Sequence, residues 1–172
     1  MPVWVIRGVQ QAGDEAEILA SGRVGIGAVE LPDLSSFADK AALRAHLAAG
    51  GGSDEEVDGR TDSYWRFVHK MQRNDSVIVA VDGGQRFLLG DVDSAYRRLP
   101  DLPAELQHTR LAFWRRPAVA AEDLPAAVRD LALGSGAPMV QLKPRALENE
   151  LLETFMRLTR TGFVKDGMAP AT

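Results

Sequence analysis

Two apolar runs, Ser76–Val81 and Gln85–Gly90, flank the turn Asp82-Gly83-Gly84. A glycine-rich connection of two or three residues between such runs is a strong hairpin signal. A lone hairpin is not stable in water, so further strands or a covering helix must pack on it. The rest of the chain supplies both. Pro2–Val9 reads as a strand buried on both faces. Arg23–Val29 reads as another, with Gly25 and Gly27 allowing a backbone or ligand to come close. Asp91–Arg97 continues the hairpin past Gly90 through a bulge. Gln107–Trp114 and Pro138–Leu142 complete the strands.

Helical periodicity appears between them. A short helix is expected over 14–20. A second starts at a Ser35 or Ser36 cap and carries Phe37, Ala41, Leu43 and Leu47 inward. A third spans Ser63–Gln72, capped by Asp62, with Tyr64, Phe67, Val68 and Met71 at helical spacing. Glu122–Leu133 is a fourth. Pro144–Leu158 is the clearest, with Leu147, Leu151, Leu152, Phe155 and Leu158 opposite Glu148, Glu150 and Glu153. Ala49–Thr61 holds three consecutive glycines and Asp54-Glu55-Glu56, and reads as a mobile loop. Strands in hairpins, with no βαβ alternation, predict an α+β fold around a mostly antiparallel, barrel-like sheet. The 172 residues suit one domain over 1–160, followed by a tail or linker over 161–172.

Composition narrows the chemistry. There is no cysteine, which excludes disulfides, thiolate catalysis and cysteine-ligated metal. No stretch approaches the roughly 18 apolar residues of a membrane span, so a cytoplasmic protein is expected. The net charge is −4, whereas a generic polyanion binder is basic. The charge is uneven: residues 1–57 carry −5, residues 58–116 carry +2, and nine of the ten bases in that middle segment are arginines. Nucleic acid would therefore be held by a local patch; a solvated, mixed-charge surface is the plainer alternative.

Catalytic constellations are not found. His46, His69 and His108 lack metal spacing, and no nucleophile elbow or phosphate-binding loop is present. Gly25-Ile26-Gly27 lacks the third glycine of a dinucleotide fingerprint. A binding domain without cofactor is expected, not an enzyme. Aromatics and arginines gather instead at Ser63-Tyr64-Trp65-Arg66-Phe67 and at His108-Thr109-Arg110 through Trp114-Arg115-Arg116. Each aromatic alone is best read as core; together they also suit stacking on a planar base and contact with phosphates.

An ordered set of segments resembles a known family. They are Val3-Trp4-Val5-Ile6-Arg7-Gly8, Gly25-Ile26-Gly27 with Glu30-Leu31-Pro32-Asp33-Leu34-Ser35, and Trp65-Arg66-Phe67-Val68-His69 leading to Asn74-Asp75-Ser76-Val77-Ile78-Val79. Leu89-Gly90-Asp91-Val92, Tyr96, Leu99–Pro103, His108-Thr109-Arg110 and Trp114 follow in order. Over residues 2–116 the chain resembles EVE-type domains of the PUA-like superfamily, as found at the N-terminus of modification-dependent restriction endonucleases of the Mrr-like and EVE–HNH kinds. The resemblance implies a PUA-like twisted antiparallel β-barrel with helices packed around it. It implies a modified-DNA reader that flips 5-methylcytosine, 5-hydroxymethylcytosine or a bulkier derivative into an aromatic pocket. Such a module gives a restriction or defence system its specificity, with a nuclease domain or subunit as partner.

Carried onto this chain, the base pocket falls on Arg7, Gly8, Ile26, Gly27, Ala28, Ser63, Tyr64 and Trp65. Phosphate contacts fall on Arg66, Arg97, Arg98 and Arg110. One departure stands out. The family usually has an aromatic after Gly-Ile-Gly, where this chain has Ala28. That implies a wider pocket, a wall supplied by Tyr64 or Trp65, or lost base reading. An RNA-binding PUA-like module, or a small-molecule or protein-interaction domain keeping only the fold, are the alternatives.

Overall fold

The computed structural model of the chain describes residues 2–7, 15–27 and 30–161. Among them five α-helices pack on one curled sheet that forms a half-barrel. Its main path runs β2 (Arg23–Gly25), β6 (His108–Arg116), β4 (Arg86–Val92), β3 (Ser76–Val81), β1 (Val3–Ile6) and β8 (Met139–Gln141). Three two-residue strands extend it: β5 (Arg97–Arg98) and β9 (Arg160–Thr161) pair with β6, and β7 (Val119–Ala120) pairs with β4.

The hairpin forms as expected. β3 and β4 pair in register from Ser76↔Asp91 to Val81↔Arg86, and Gly83 turns with φ 68. Among the described residues, the one departure from antiparallel pairing is β1, which lies parallel to β3 with Val3 opposite Ser76. Parallel neighbours need a long crossover. Here it contains α1 (Glu15–Ser21), β2, α2 (Lys40–Ala49) and α3 (Asp54–His69).

Strand alternation divides the core in two. On one face Trp4, Ile6, Val77, Val79 and Leu88 meet Leu43, Leu47 and Phe67 from α2 and α3. On the other face Val3, Val5, Ile78, Phe87 and Leu89 are covered by Val128 of α4 (Ala126–Leu133) and by Leu151 and Phe155 of α5 (Arg145–Leu158).

Several expected elements are corrected. The 49–61 loop is largely helix, because Ser53 caps α3 by accepting from Glu56 N at 3.2 Å. The expected cap Asp62 lies inside that helix, bound to Lys40 at 2.9 Å and Arg66 at 3.1 Å. The helix expected from Ser35 or Ser36 is split. Asp33 caps a single 3-10 turn over Leu34–Ser36, Phe37 is extended, and Asp39 caps α2 anew. The hairpin extension stops at Val92 and resumes as β5. Glu148 is buried, not solvent-facing, because it accepts from the Val3 backbone N–H at 3.1 Å; Leu158 is exposed.

Close approach explains two glycines. A Cβ on Gly25 would meet the Glu105 carbonyl oxygen at 1.8 Å, so β2 and the 104–106 turn fit only with glycine there. A Cβ on Gly90 would lie 2.6 Å from the Trp114 ring, which covers that strand position.

Candidate functional site

Between residues 55–64 of α3 and the turn 135–138 lies a cleft of about 690 Å³. That falls within the range of small-ligand sites, roughly 300–1,000 Å³. Its α3 wall is built by Glu55, Glu56, Gly59, Arg60 and Tyr64, which recur at helical spacing. Gly59 keeps the wall low; a Cβ there would meet only Ala137, at 3.5 Å.

Both walls are held from behind. Ser63 is completely buried, and its Oγ accepts from Met139 N at 3.1 Å and donates to Met139 O at 3.0 Å. This reciprocal pair locks α3 to β8. Arg7, at the end of β1, donates from Nε to the Ala137 carbonyl at 2.8 Å, and its backbone N–H bonds Pro138 O at 2.8 Å. Burial lowers the Arg7 pKa from its ordinary value. Gly136 lies against its guanidinium, where a Cβ would come within 3.2 Å of Nη2.

The electrostatics are mixed. The Arg60 guanidinium carbon lies 5.9 Å from the Tyr64 ring centroid, within cation–π range. Its Nη2 also reaches Glu30 Oε1 at 3.5 Å. The acidic residues Glu55 and Glu56 share the wall. The arrangement offers an aromatic face, one cation and several strong acceptors. No group of three or more metal-ligating side chains occurs among the described residues.

The expected pocket residues divide sharply. Tyr64 lines the cleft, while Arg7 and Ser63 support its walls. Trp65, about 100° further round the helix, packs on His69 with ring centroids 4.0 Å apart and planes tilted by 39°, and does not line the cleft. Ile26 is buried in the core and bonds the His108 carbonyl at 3.2 Å. Gly27 has φ 81. Gly8 and Ala28 lie outside the described residues.

None of the four arginines expected at phosphates lines the cleft. Arg66 is paired with Asp62. Arg97 is exposed and Arg98 half-buried, opposite Thr109 and His108. Arg110 has a structural position: only 4% exposed, it donates to the carbonyls of Phe67 at 2.8 Å, Ser94 at 2.9 Å and Val68 at 3.0 Å. Burial pushes its pKa down to about 10, against the upward pull of Asp75, so it stays charged at neutral pH. A cation suits the carbonyl-rich end of α3.

Glu55, Glu56, Gly59 and Arg60 were missed as site residues because their segment reads as loop. The signal that finds them is Ser53-x-x-Glu56, a capping box that starts the helix before Tyr64. No family model, curated protein or solved structure matches the chain.

Proposed function

We propose that this chain is a non-catalytic reader of modified DNA, taking an extruded, modified cytosine into the α3 cleft. The observation that carries the reading is the cleft itself, large enough to admit a nucleobase and lined by Tyr64. The ordered resemblance of residues 2–116 to EVE-type domains supports it. So does the curled sheet with helices around it, the coarse form of a PUA-like barrel.

The chemistry is consistent with a base. Extrusion costs a few kcal/mol but exposes both faces and the full edge of the ring. Stacking on an aromatic side chain is worth about 1–3 kcal/mol per base. Glu55 or Glu56 would accept from the exocyclic amine of cytosine, a pairing carboxylates favour. A methyl group adds only about 0.8 kcal/mol when buried, so discrimination needs close fit at the modified position. In this reading the nuclease of a restriction system is supplied by another domain or subunit.

One observation favours a second reading. Glu55 and Glu56 line the cleft, Glu30 pairs with its Arg60, and carboxylates repel phosphates. A small amine-bearing ligand without phosphates would avoid that cost.

Fluorescence anisotropy separates the two. The probes are duplexes of one sequence bearing cytosine, 5-methylcytosine, 5-hydroxymethylcytosine or a glucosylated cytosine, at two salt concentrations, with matched RNA as a further arm. Tighter binding to one modified DNA, by a margin that survives higher salt, is expected. Equal, weak binding erased by salt rejects the reader, and a preference for RNA rejects DNA as the polymer. The cleft is tested with Gly59→Leu. Replacing a mid-helix glycine favours the helix by up to about 1 kcal/mol, while the new side chain fills the cleft. Loss of preference in this folded variant is expected; retained preference puts the base elsewhere.

A further inference from the structure

Tyr64 packs into the hydrophobic core and is only 5% exposed, although it lines the cleft. A ring that is to stack on a ligand needs a free face. Arg60 lies one helical turn earlier, and its guanidinium carbon sits 5.9 Å from the ring centroid. The guanidinium is planar, like a nucleobase, and stacks on aromatic faces for the same reasons. Arg60 is also anchored away from α3, through Glu30 at 3.5 Å. Its side chain is 32% exposed, so it has solvent to move into.

We infer that Arg60 is a built-in competitor for the Tyr64 ring: it covers the stacking face in the empty cleft, and a planar ligand binds by displacing it. This deepens the base-reading proposal and rests on it for the ligand's identity, though the cover on Tyr64 is testable without any ligand.

Competition of this kind has a distinctive signature. If the open cleft is a minor fraction of the molecules, every ligand's affinity is reduced by that same fraction. Removing Arg60 therefore tightens all planar ligands equally and leaves the ratio between them unchanged. A residue that contacts the ligand behaves oppositely: its removal weakens binding and changes the ratio. A solvent-exposed cation–π contact sets the expected size at about two- to fivefold.

Two measurements test the inference on the intact chain. The first is nitration by tetranitromethane, followed peptide by peptide in wild type and Arg60→Ala. The chain has two tyrosines, and Tyr96 serves as the internal reference. Tyr64 nitration is expected to be several-fold faster in Arg60→Ala, with Tyr96 unchanged. An unchanged Tyr64 rate overturns the inference.

The second is anisotropy with a duplex bearing one 5-hydroxymethylcytosine and with its plain counterpart. Both are expected to bind Arg60→Ala about two- to fivefold more tightly, at a constant ratio. Weaker binding of either duplex overturns the inference, because Arg60 then holds the ligand. Faster nitration without binding of any duplex by either protein supports the competitor and rejects the base-reading proposal.

Discussion

Arg110 shows how little a residue's type says about its task. An arginine beside an aromatic strand suits phosphate, yet this one supplies donors to three carbonyls around the end of α3. Replacing it with methionine keeps the volume and orphans those acceptors. Each buried group left unsatisfied costs about 1–3 kcal/mol, so Arg110→Met is expected to lose more than 2 kcal/mol in urea unfolding. A loss below 0.5 kcal/mol would return Arg110 to the surface. Tyr96 makes a second residue-scale prediction. Its hydroxyl accepts from Leu34 N at 2.9 Å and shares a hydrogen bond with His108 Nδ1 at 2.7 Å. Burial is the main cause raising its pKa to about 12. The unfolded chain ionises this tyrosine near pH 10, while the folded chain keeps the proton until about pH 12. Stability from this group is therefore complete below pH 10 and is lost as pH rises toward 12. Unfolding midpoints of wild type are expected to fall more steeply than those of Tyr96→Phe across that window; parallel curves would reject the assignment. Neither role was legible in the sequence, because both depend on carbonyls and ring nitrogens brought in by distant segments.

Elements were legible where their signal is local. The β3–β4 hairpin announces itself through Asp82-Gly83-Gly84, and α5 through its leucine stripe. The start of α3 was not, since Gly50–Gly52 and three successive acids outweigh one serine on the page. In the folded chain those acids lie in the first turn, where the helix dipole favours them, and Ser53 closes the cap. Ser53→Ala is expected to cost about 1 kcal/mol and to loosen the helix turn that carries Glu55 and Glu56. Amide hydrogen exchange at 54–58 should accelerate before that at 64–68. Uniform exchange along α3 would show that tertiary packing, not the cap, fixes its beginning. The parallel pairing of β1 with β3 was illegible for a different reason. Each strand's pattern fixes which faces are buried, but not which neighbour it takes across a crossover.

At the scale of the whole molecule, the charge map constrains how a duplex could sit. The half of the site visible in the sequence was Tyr64 and its supports Arg7 and Ser63; the opposing turn 135–138 joins them from more than seventy residues away, beyond any local pattern. Charge was legible throughout, but its availability was not. Of the four arginines expected at phosphates, Arg110 is internal and Arg66 is committed to Asp62. That leaves Arg97 and Arg98, while Glu55 and Glu56 put negative charge on the cleft wall. Each neutralised phosphate contributes about −0.9 to the slope of log K against log salt on duplex DNA. Two contacts predict a slope of about −2 for the plain and the modified duplex alike. In the proposed reading their difference in affinity comes from the uncharged fit of the base and should then be flat with salt. A double Arg97→Ala, Arg98→Ala variant should lose nearly all of the slope and keep the preference for the modified base. A slope near −6, or a preference that disappears with salt, would mean that a different basic surface carries the duplex and that the cleft does not read it.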